Sequence, residues 1–426
     1  MSAPDISLLG KRRFSPLFVV QFLGAFNDNV LKFTMLFLTS YTVYQNAPEK
    51  VEQLSALATG LFILPYFLLS AIGGQLADRF DKATLIRYIK CAEILFMGIG
   101  LAGCYFEMIS LLMVALFLMG VHSALFGPVK YSIMPQHLST GEIMGATGLI
   151  EAGTFLAILS GQLFAGLLTP LNAGIAATAL ATCGFLISFL IPPAPSADKR
   201  LQVDYNVFRS TWRIMSKATK EPSIWYTIIG ISWFFGVGAV VLAEFIPLVN
   251  GVLGAQKEVA TLFLIIFSVS IAIGSLAVNV IAKGKVSARF VPAAALGMAG
   301  SLIYLWIATS RFVVQVPGAD ITSFVASEGA WHILTALFGI AFSGGMFIVP
   351  LYAILMTQTS DEERSQIIAG NNIINAVMTV IIVLAVTAML GAGASLPLVI
   401  GVLGLATIPI ALGAHYRLRR AMPHLT

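Results

Sequence analysis

The chain has 426 residues, 58% of them hydrophobic and 11% charged, with a mean hydropathy of +0.89 and a net charge of +5. No soluble domain of this length has enough polar surface to cover so much apolar area, so the composition excludes a soluble enzyme and implies a polytopic membrane protein. The basic residues stand at the ends of apolar segments, which argues against nucleic acid as a partner.

Twelve apolar stretches of spanning length follow one another, near residues 17–44, 55–77, 84–104, 108–130, 143–168, 171–191, 223–249, 258–282, 290–310, 330–356, 365–390 and 395–416. The first is preceded by Lys11, Arg12 and Arg13 and is itself long enough to span, so no cleavable leader is expected. Its interior carries Asn27, Asp28, Asn29 and Lys32. An ionised side chain near the bilayer centre costs about 2.5–3.5 kcal/mol on insertion scales, so it needs an aqueous cavity or a partner. Asp28 and Lys32 are four apart and share a helix face. In one reading Asn27, Asp28, Asn29 and Lys32 line the polar, head-group end of a substrate site. In the other, Asp28 and Lys32 form a structural pair.

The second stretch ends in Gly73-Gly74-Gln75-Leu76-Ala77-Asp78-Arg79-Phe80-Asp81-Lys82. Gly74 permits close helix contact. Asp78 can pair with Arg79, Lys82 or the dipole of a neighbouring helix, making Gly74, Asp78, Arg79 and Lys82 a candidate conformational latch. In the third stretch Lys90 and Glu93 have the spacing of a self-neutralising pair. The fourth holds His122, read as a core histidine, and ends at Lys130, which either snorkels or serves the site. Glu151 lies too deep in the fifth stretch to snorkel and can reach Lys130 or Lys32 across a bundle. Glu244 lies near the outer end of the seventh, where substrate contact and simply reaching the interface compete. Asn371 and Asn372 open the eleventh, where substrate contact and helix–helix hydrogen bonding compete. Phe22, Phe26 and Trp233 are candidates for an apolar slot in a substrate site, with plain packing the alternative. Cys91, Cys104 and Cys183 match no metal or redox spacing and read as small core residues. There is no phosphate loop, nucleophile elbow, acyltransferase His-x4-Asp or metal-ligand spacing, so no cofactor, metal or catalytic residue is expected.

Twenty Lys and Arg residues fall on the side of the N-terminal arm, three on the other side and two within segments. This asymmetry predicts cytoplasmic termini. Residues 192–222 form the longest connection on that side. They begin Pro192-Pro193-Ala194-Pro195 and carry six basic residues. The part from Asp204 to Lys220 reads either as an amphipathic helix on the membrane surface or as a solvated linker with some helix. The expected division is therefore 1–191 and 223–426, two six-helix halves, joined by 192–222. The halves echo one another. Gly74 and Gly274 close matching segments, and Pro128, Met134, Gln136 and Gly148 recur 222 positions later as Pro350, Met356, Gln358 and Gly370. Parallel repeats of this kind point to a transporter with its site between the halves.

The connection from Gly73 to Lys82 resembles the Gly-x-Leu-Ala-Asp-Arg-x-Gly-Arg/Lys pattern of the major facilitator superfamily, with Asp81 in place of the usual glycine and Val278 where a second Asp78 would stand. Within it, Gln21-Phe22-Leu23-Gly24-Ala25-Phe26-Asn27-Asp28-Asn29, Gly127-Pro128-Val129-Lys130-Tyr131, Gly148-Leu149-Ile150-Glu151-Ala152 and Gly370-Asn371-Asn372 resemble the lysophospholipid transporter (LplT) family. Gly230 to Phe235 is most similar to the transporter segment of multidomain relatives that continue into an acyltransferase and an acyl-protein ligase. This chain is expected to carry neither appended activity.

The resemblance implies an all-α membrane protein of twelve helices. It also implies movement of lysophospholipids such as lysophosphatidylethanolamine from the outer to the inner leaflet of a bacterial inner membrane, where a separate acyltransferase restores the diacyl lipid. Membrane lipids are the other expected partners, and a monomer is expected. Stand-alone members carry an arginine in the seventh helix that partners the head group. The stretch Val240 to Phe245 has none. Either another cation, Lys32 or Lys130, meets the phosphate, or the head-group preference differs. Two other readings stay open: a facilitator-type exporter of amphipathic drugs or small metabolites, and a membrane scaffold for an acyltransferase.

Overall fold

The computed structural model describes residues 6–418 and Arg420; Arg419, counted above with the basic residues of the termini's side, lies outside the described residues. Among the described residues there is no strand, only one isolated parallel bridge between Ala255 and Ala319. Twelve helices among the described residues have 18 residues or more. They are α1 Ser15–Leu38, α2 Pro48–Arg79, α3 Lys82–Tyr105, α4 Ile109–Ser132, α5 Thr140–Leu167, α6 Pro170–Ser188, α7 Pro222–Ala243, α8 Lys257–Ile281, α9 Val291–Arg311, α10 Ala330–Thr357, α11 Arg364–Gly391 and α12 Leu396–Gly413. A linker helix, Val207–Lys220, joins the two sets of six.

Ten of the twelve are long and apolar enough to cross a membrane. The other two, α1 and α3, are the ones with internal ion clusters. Both are packed among helices that do meet the criterion, α1 against α5 and α6, and α3 against α4 and α6. Local chemistry sets the helix starts. Proline stands in the first turn of α1, α2, α6, α7 and α9, where its missing N–H costs nothing. Asp81 caps α3 by accepting from Thr84 N at 2.8 Å, and its other oxygen accepts from Ala194 N at 2.8 Å. The residue that replaces the usual glycine therefore ties the α2–α3 turn to the linker.

Two stretches differ in detail from the apolar pattern. Residues 17–44 are α1 followed by one π-helical turn, Thr39–Val43. Residues 223–249 are interrupted: α7 stops at Ala243, and the short helix Phe245–Pro247 and the π-helical turn Leu248–Val252 follow. Of the cysteines, only Cys104 is buried; Cys91 and Cys183 lie exposed on the outside of the bundle, not in its core.

The linker packs on the α2–α3 and α4–α5 turns. Lys82 N donates to Ala194 O (2.9 Å), Asp198 N to Asp78 O (3.0 Å) and Gln136 Nε2 to Pro195 O (3.1 Å). This end of the molecule is the linker face. The first six helices meet the last six mainly along two seams, α2 with α11 and α5 with α8, supplemented by α4 with α11 and α5 with α10. Both seams are tightest near the linker face. A Cβ added to Gly74 would lie 2.7 Å from Ser365 O and from Ala369 Cβ, and one added to Gly148 would lie 2.5 Å from Ser275 O. Only glycine allows backbones that close.

Candidate functional site

The polar residues of α1 divide between two environments. Asn27 is fully buried and turned into the first half, where its amide donates to Glu93 Oε1 at 2.9 Å. Glu93 is paired with Lys90, and His122 Nε2 stands 3.1 Å from the same carboxylate. The Lys90 ammonium also donates to Val20 O at 3.4 Å. This cluster is a closed ionic core in which positive and negative groups compensate one another at almost no solvent exposure.

Asp28, one residue on, faces elsewhere. Its Oδ2 accepts from Ser123 Oγ of α4 at 2.9 Å, while its Oδ1 is buried with no hydrogen-bond partner. Tyr66 of α2 stands beside the same serine hydroxyl. The four-residue spacing to Lys32 does not close an ion pair: no Asp28–Lys32 bridge exists among the described residues. Lys32 and Asn29 are both partly exposed, and the Asn29 amide donates back to Ala25 O at 2.9 Å. An unpartnered carboxylate oxygen inside a membrane-spanning bundle is costly unless a ligand or water meets it.

Toward the linker face, a second polar group joins the halves. Tyr131 of α4 donates to Glu151 of α5, which is 1% exposed. The Tyr131 ring stacks on Tyr352 of α10, with centroids 4.3 Å apart and planes 10° from parallel. Asn371 Nδ2 of α11 reaches the Tyr352 hydroxyl at 3.4 Å. Asn371 Oδ1 and Asn372 Nδ2 have no hydrogen-bond partner, and the Asn372 amide nitrogen abuts Gly127, 2.6 Å from where a Cβ would stand. Lys130, over its neighbour Tyr131 at 4.7 Å, lies within electrostatic reach of both Asp28 and Glu151. The belt Glu151–Tyr131–Tyr352–Asn371 thus crosses from one half to the other below Asp28, and Lys130 lies between the two.

The remaining candidates are dispersed. Glu244 sits half-buried at the far end of α7, away from this group. Phe26 packs on Phe164 at 5.3 Å, and Phe22 on Phe18 at 6.3 Å. Trp233 turns toward α12 and donates to Thr407 Oγ1 at 3.0 Å. Ser123 and Tyr352 escaped the sequence reading. A serine in an apolar helix gives no signal, and Tyr352 lies in an apolar run. Tyr131 was visible only as part of the Lys130-Tyr131 motif.

The glycine-rich connection has a defined geometry. Asp78, fully buried, accepts from Ser365 N at 3.2 Å and from Gln366 Nε2 at 3.1 Å, so it caps the first turn of α11 across the seam. Of the partners weighed for Asp78, the helix dipole is the one it meets directly. Arg79 lies over the Phe80 ring at 5.3 Å, and Lys82 is 2% exposed within reach of Asp78.

Residues 17–383 match the Major Facilitator Superfamily over most of the chain. The chain belongs to that superfamily. It is a multi-pass membrane transporter, not an enzyme. Its curated relatives include proteins called lysophospholipid transporter LplT. The one from Escherichia fergusonii is 26% identical over 376 residues, covering 86% of this chain and 84% of that protein. The one from Photorhabdus laumondii is 28% identical over 373 residues, covering 81% and 80%. In fold, the chain resembles the E. coli fucose:proton symporter FucP. The FucP structure in an outward conformation aligns with a TM-score of 0.70 at 13% identity, covering 95% of this chain and 98% of that one.

Proposed function

We propose that this protein is a lysophospholipid transporter that moves substrates such as lysophosphatidylethanolamine from the outer to the inner leaflet of a bacterial inner membrane, for re-acylation by a separate acyltransferase. The observation that carries the reading is the buried, unpartnered Asp28 Oδ1, with Lys130 within electrostatic reach, in a chain whose curated relatives are called lysophospholipid transporters. A single-tailed phospholipid needs an acceptor for its ammonium, a cation for its phosphate and an apolar slot for its tail. Asp28 supplies the acceptor, Lys32 and Lys130 the cations, and Asn29 an amide. Partly exposed Phe22 borders the tail path, whereas Phe26 is committed to Phe164 and Trp233 to Thr407. The belt of Glu151, Tyr131, Tyr352, Asn371 and Asn372 forms the floor that opens for release, and Glu244 guards the far end.

The two halves are residues 1–191 and 223–426, and the linker face is cytoplasmic, in line with the twenty basic residues on that side. Closure of both seams at the linker face supports an outward-facing conformation. Substrate enters laterally from the outer leaflet and leaves when Asp78 releases α11. The protein works as a monomer. The likeness of Gly230 to Phe235 to multidomain transporter–acyltransferase–ligase proteins supports the link to re-acylation.

The test is inward movement of labelled lysophosphatidylethanolamine in proteoliposomes. Asp28→Asn keeps an acceptor for Ser123 but removes the charge, and is expected to lower transport at least tenfold while melting like the wild type. Lysophospholipid at 100 times its Kd should stabilise the wild type by about 2.7 kcal/mol and the variant far less. Wild-type transport by Asp28→Asn would sink the site. Transport of a water-soluble substrate with no competition from lysolipid would sink the substrate class.

A further inference from the structure

The linker helix is built as a strap between the halves. Its inner face, Ser210, Ile214 and Ala218, is buried. Ile214 packs with Ala71 of α2 and Ile373 of α11 in one small core, and touches the backbone at Gly370. Polar contacts repeat the pattern. On α2, Gln75 Oε1 accepts from Asp204 N (2.9 Å) and from Arg213 (2.8 Å). On α11's side, Lys217 pairs with Glu363 at 2.7 Å.

The level of the helix decides what its outer face meets. Ala71 lies eight residues before the end of α2, and Gly370 six residues after the start of α11. At 1.5 Å per residue these are about 12 and about 9 Å inside the helix ends. With 32 and 28 residues, α2 and α11 are about 48 and about 42 Å long, against a hydrocarbon core of about 30 Å. The linker helix therefore lies on the flank of the seam, not beneath the bundle.

The outward face carries Phe208 and Trp212, one turn apart and 75% and 78% exposed, and Tyr205, just before the helix, is 69% exposed. Residues 192–222 contain six basic and three acidic residues, a net charge of +3, and Lys199, Arg200, Arg209 and Lys220 are exposed. Aromatic side chains beside Lys and Arg at an interface suit an anionic lipid surface, each cation there contributing about 1 kcal/mol.

We propose that the linker helix is a lipid-bound strap. Tyr205, Phe208 and Trp212 seat in the head-group layer of the leaflet on the linker side, anionic lipids hold the basic residues, and this engagement keeps the α2–α11 seam shut. The proposal does not depend on which substrate is carried.

The full chain in nanodiscs tests it, with 30% anionic phosphatidylglycerol in one set and phosphatidylcholine alone in the other. Lipids brominated near the carbonyl end of the acyl chain should quench tryptophan fluorescence more in the wild type than in Trp212→Phe. Hydrogen exchange across 70–80 and 364–373 should quicken three- to tenfold when the anionic lipid is withdrawn. It should quicken equally in Phe208→Ser/Trp212→Ser with the lipid present. The double variant alters exposed side chains only, so its melting in detergent should equal that of the wild type. Equal quenching in wild type and Trp212→Phe overturns the proposal, as does exchange at the seam that ignores both lipid and variant. Trp212 that lipid does not quench but a soluble acidic protein covers would also overturn it, and assign the face to that partner.

Discussion

The two seams that close the linker face use equivalent helices and different chemistry. At each, one glycine brings backbones together, Gly74 on the α2–α11 side and Gly148 on the α5–α8 side. A carboxylate crosses only the first. α5 caps its own start: Ser139 and Glu142 form a capping box, and Lys11 and Arg13 hold Glu142 from the same half, at 3.2 and 2.5 Å. Its first turn is satisfied whether the seam is open or shut. α11 has no side-chain cap from Glu363, the residue before its first turn, and borrows Asp78 from α2. Opening that seam strips a cap from α11 and leaves a buried carboxylate without donors. Val278 stands where a second Asp78 would complete the symmetry, and it is fully buried. Of the two seams, α2–α11 is therefore the one expected to respond to charge, and α5–α8 the one expected to rest on packing.

The largest effects should come from the glycines, which the seams share. In Gly74→Val and Gly148→Val the new side chain meets backbone oxygen, which cannot rotate away, and overpacking of this kind costs about 1–3 kcal/mol. Each variant should lose more than nine-tenths of transport. A cysteine reporter at Ile143, 1% exposed and lining the 590 Å³ cavity at the linker face, should be alkylated at least tenfold faster in both. Unchanged labelling in either variant would mean that its seam is looser than described.

Charge separates the seams at the next level. Asp78→Asn gives up charge-assisted bonds worth about 1.5–3 kcal/mol in the closed state, enough to shift the open–closed ratio tenfold or more. Ser139→Ala removes a cap that does not cross a seam. It should cost about 0.5–2 kcal/mol of stability and leave the ratio unchanged. Measuring melting and reporter labelling together distinguishes the two. Equal labelling shifts in both variants would erase the distinction between a borrowed cap and an internal one.

Much of this architecture was legible in sequence because membranes impose simple rules. Apolar length marked the spans, and Gly74 to Lys82 marked one seam. The α1 cluster was visible as a charge in the wrong solvent, but its division was not. Asn27 and Asp28 are neighbours whose side chains point about 100° apart on a helix, so one joins Glu93 in the core while the other reaches Ser123. Neither partner is near in sequence. The borrowed cap was hidden for the same reason: Asp78 and Ser365 are 287 residues apart. The linker helix was legible as amphipathic, but not which of its apolar residues turn to protein. Periodicity alone could not say that Ile214 faces protein while Phe208 and Trp212 face outward.

The smallest effect belongs to the clamp at the start of the linker helix, which belongs to the α2–α11 side alone. Arg209 donates to Asp204 through Nε at 2.6 Å and Nη2 at 2.8 Å, and Asn206 N adds a bond at 3.0 Å. These donors, Arg209 foremost, hold the Asp204 carboxyl down at about 2. A depressed folded value means that its contribution is complete above the unfolded value near 3.9 and is lost only as pH falls through about 2. Linker-helix exchange, corrected for intrinsic rates, should therefore be flat from pH 8 to about pH 5. The pair is exposed on the arginine side, so Asp204→Asn should quicken exchange at residues 206–210 by two- to threefold at pH 7 and leave transport unchanged. Gln75 is held by the backbone N–H of Asp204, not by its side chain, so the strap stays on α2 in the variant. A large loss of transport in Asp204→Asn would show that the seam depends on the register of the linker helix, and not on Asp78 and the strap's buried face alone.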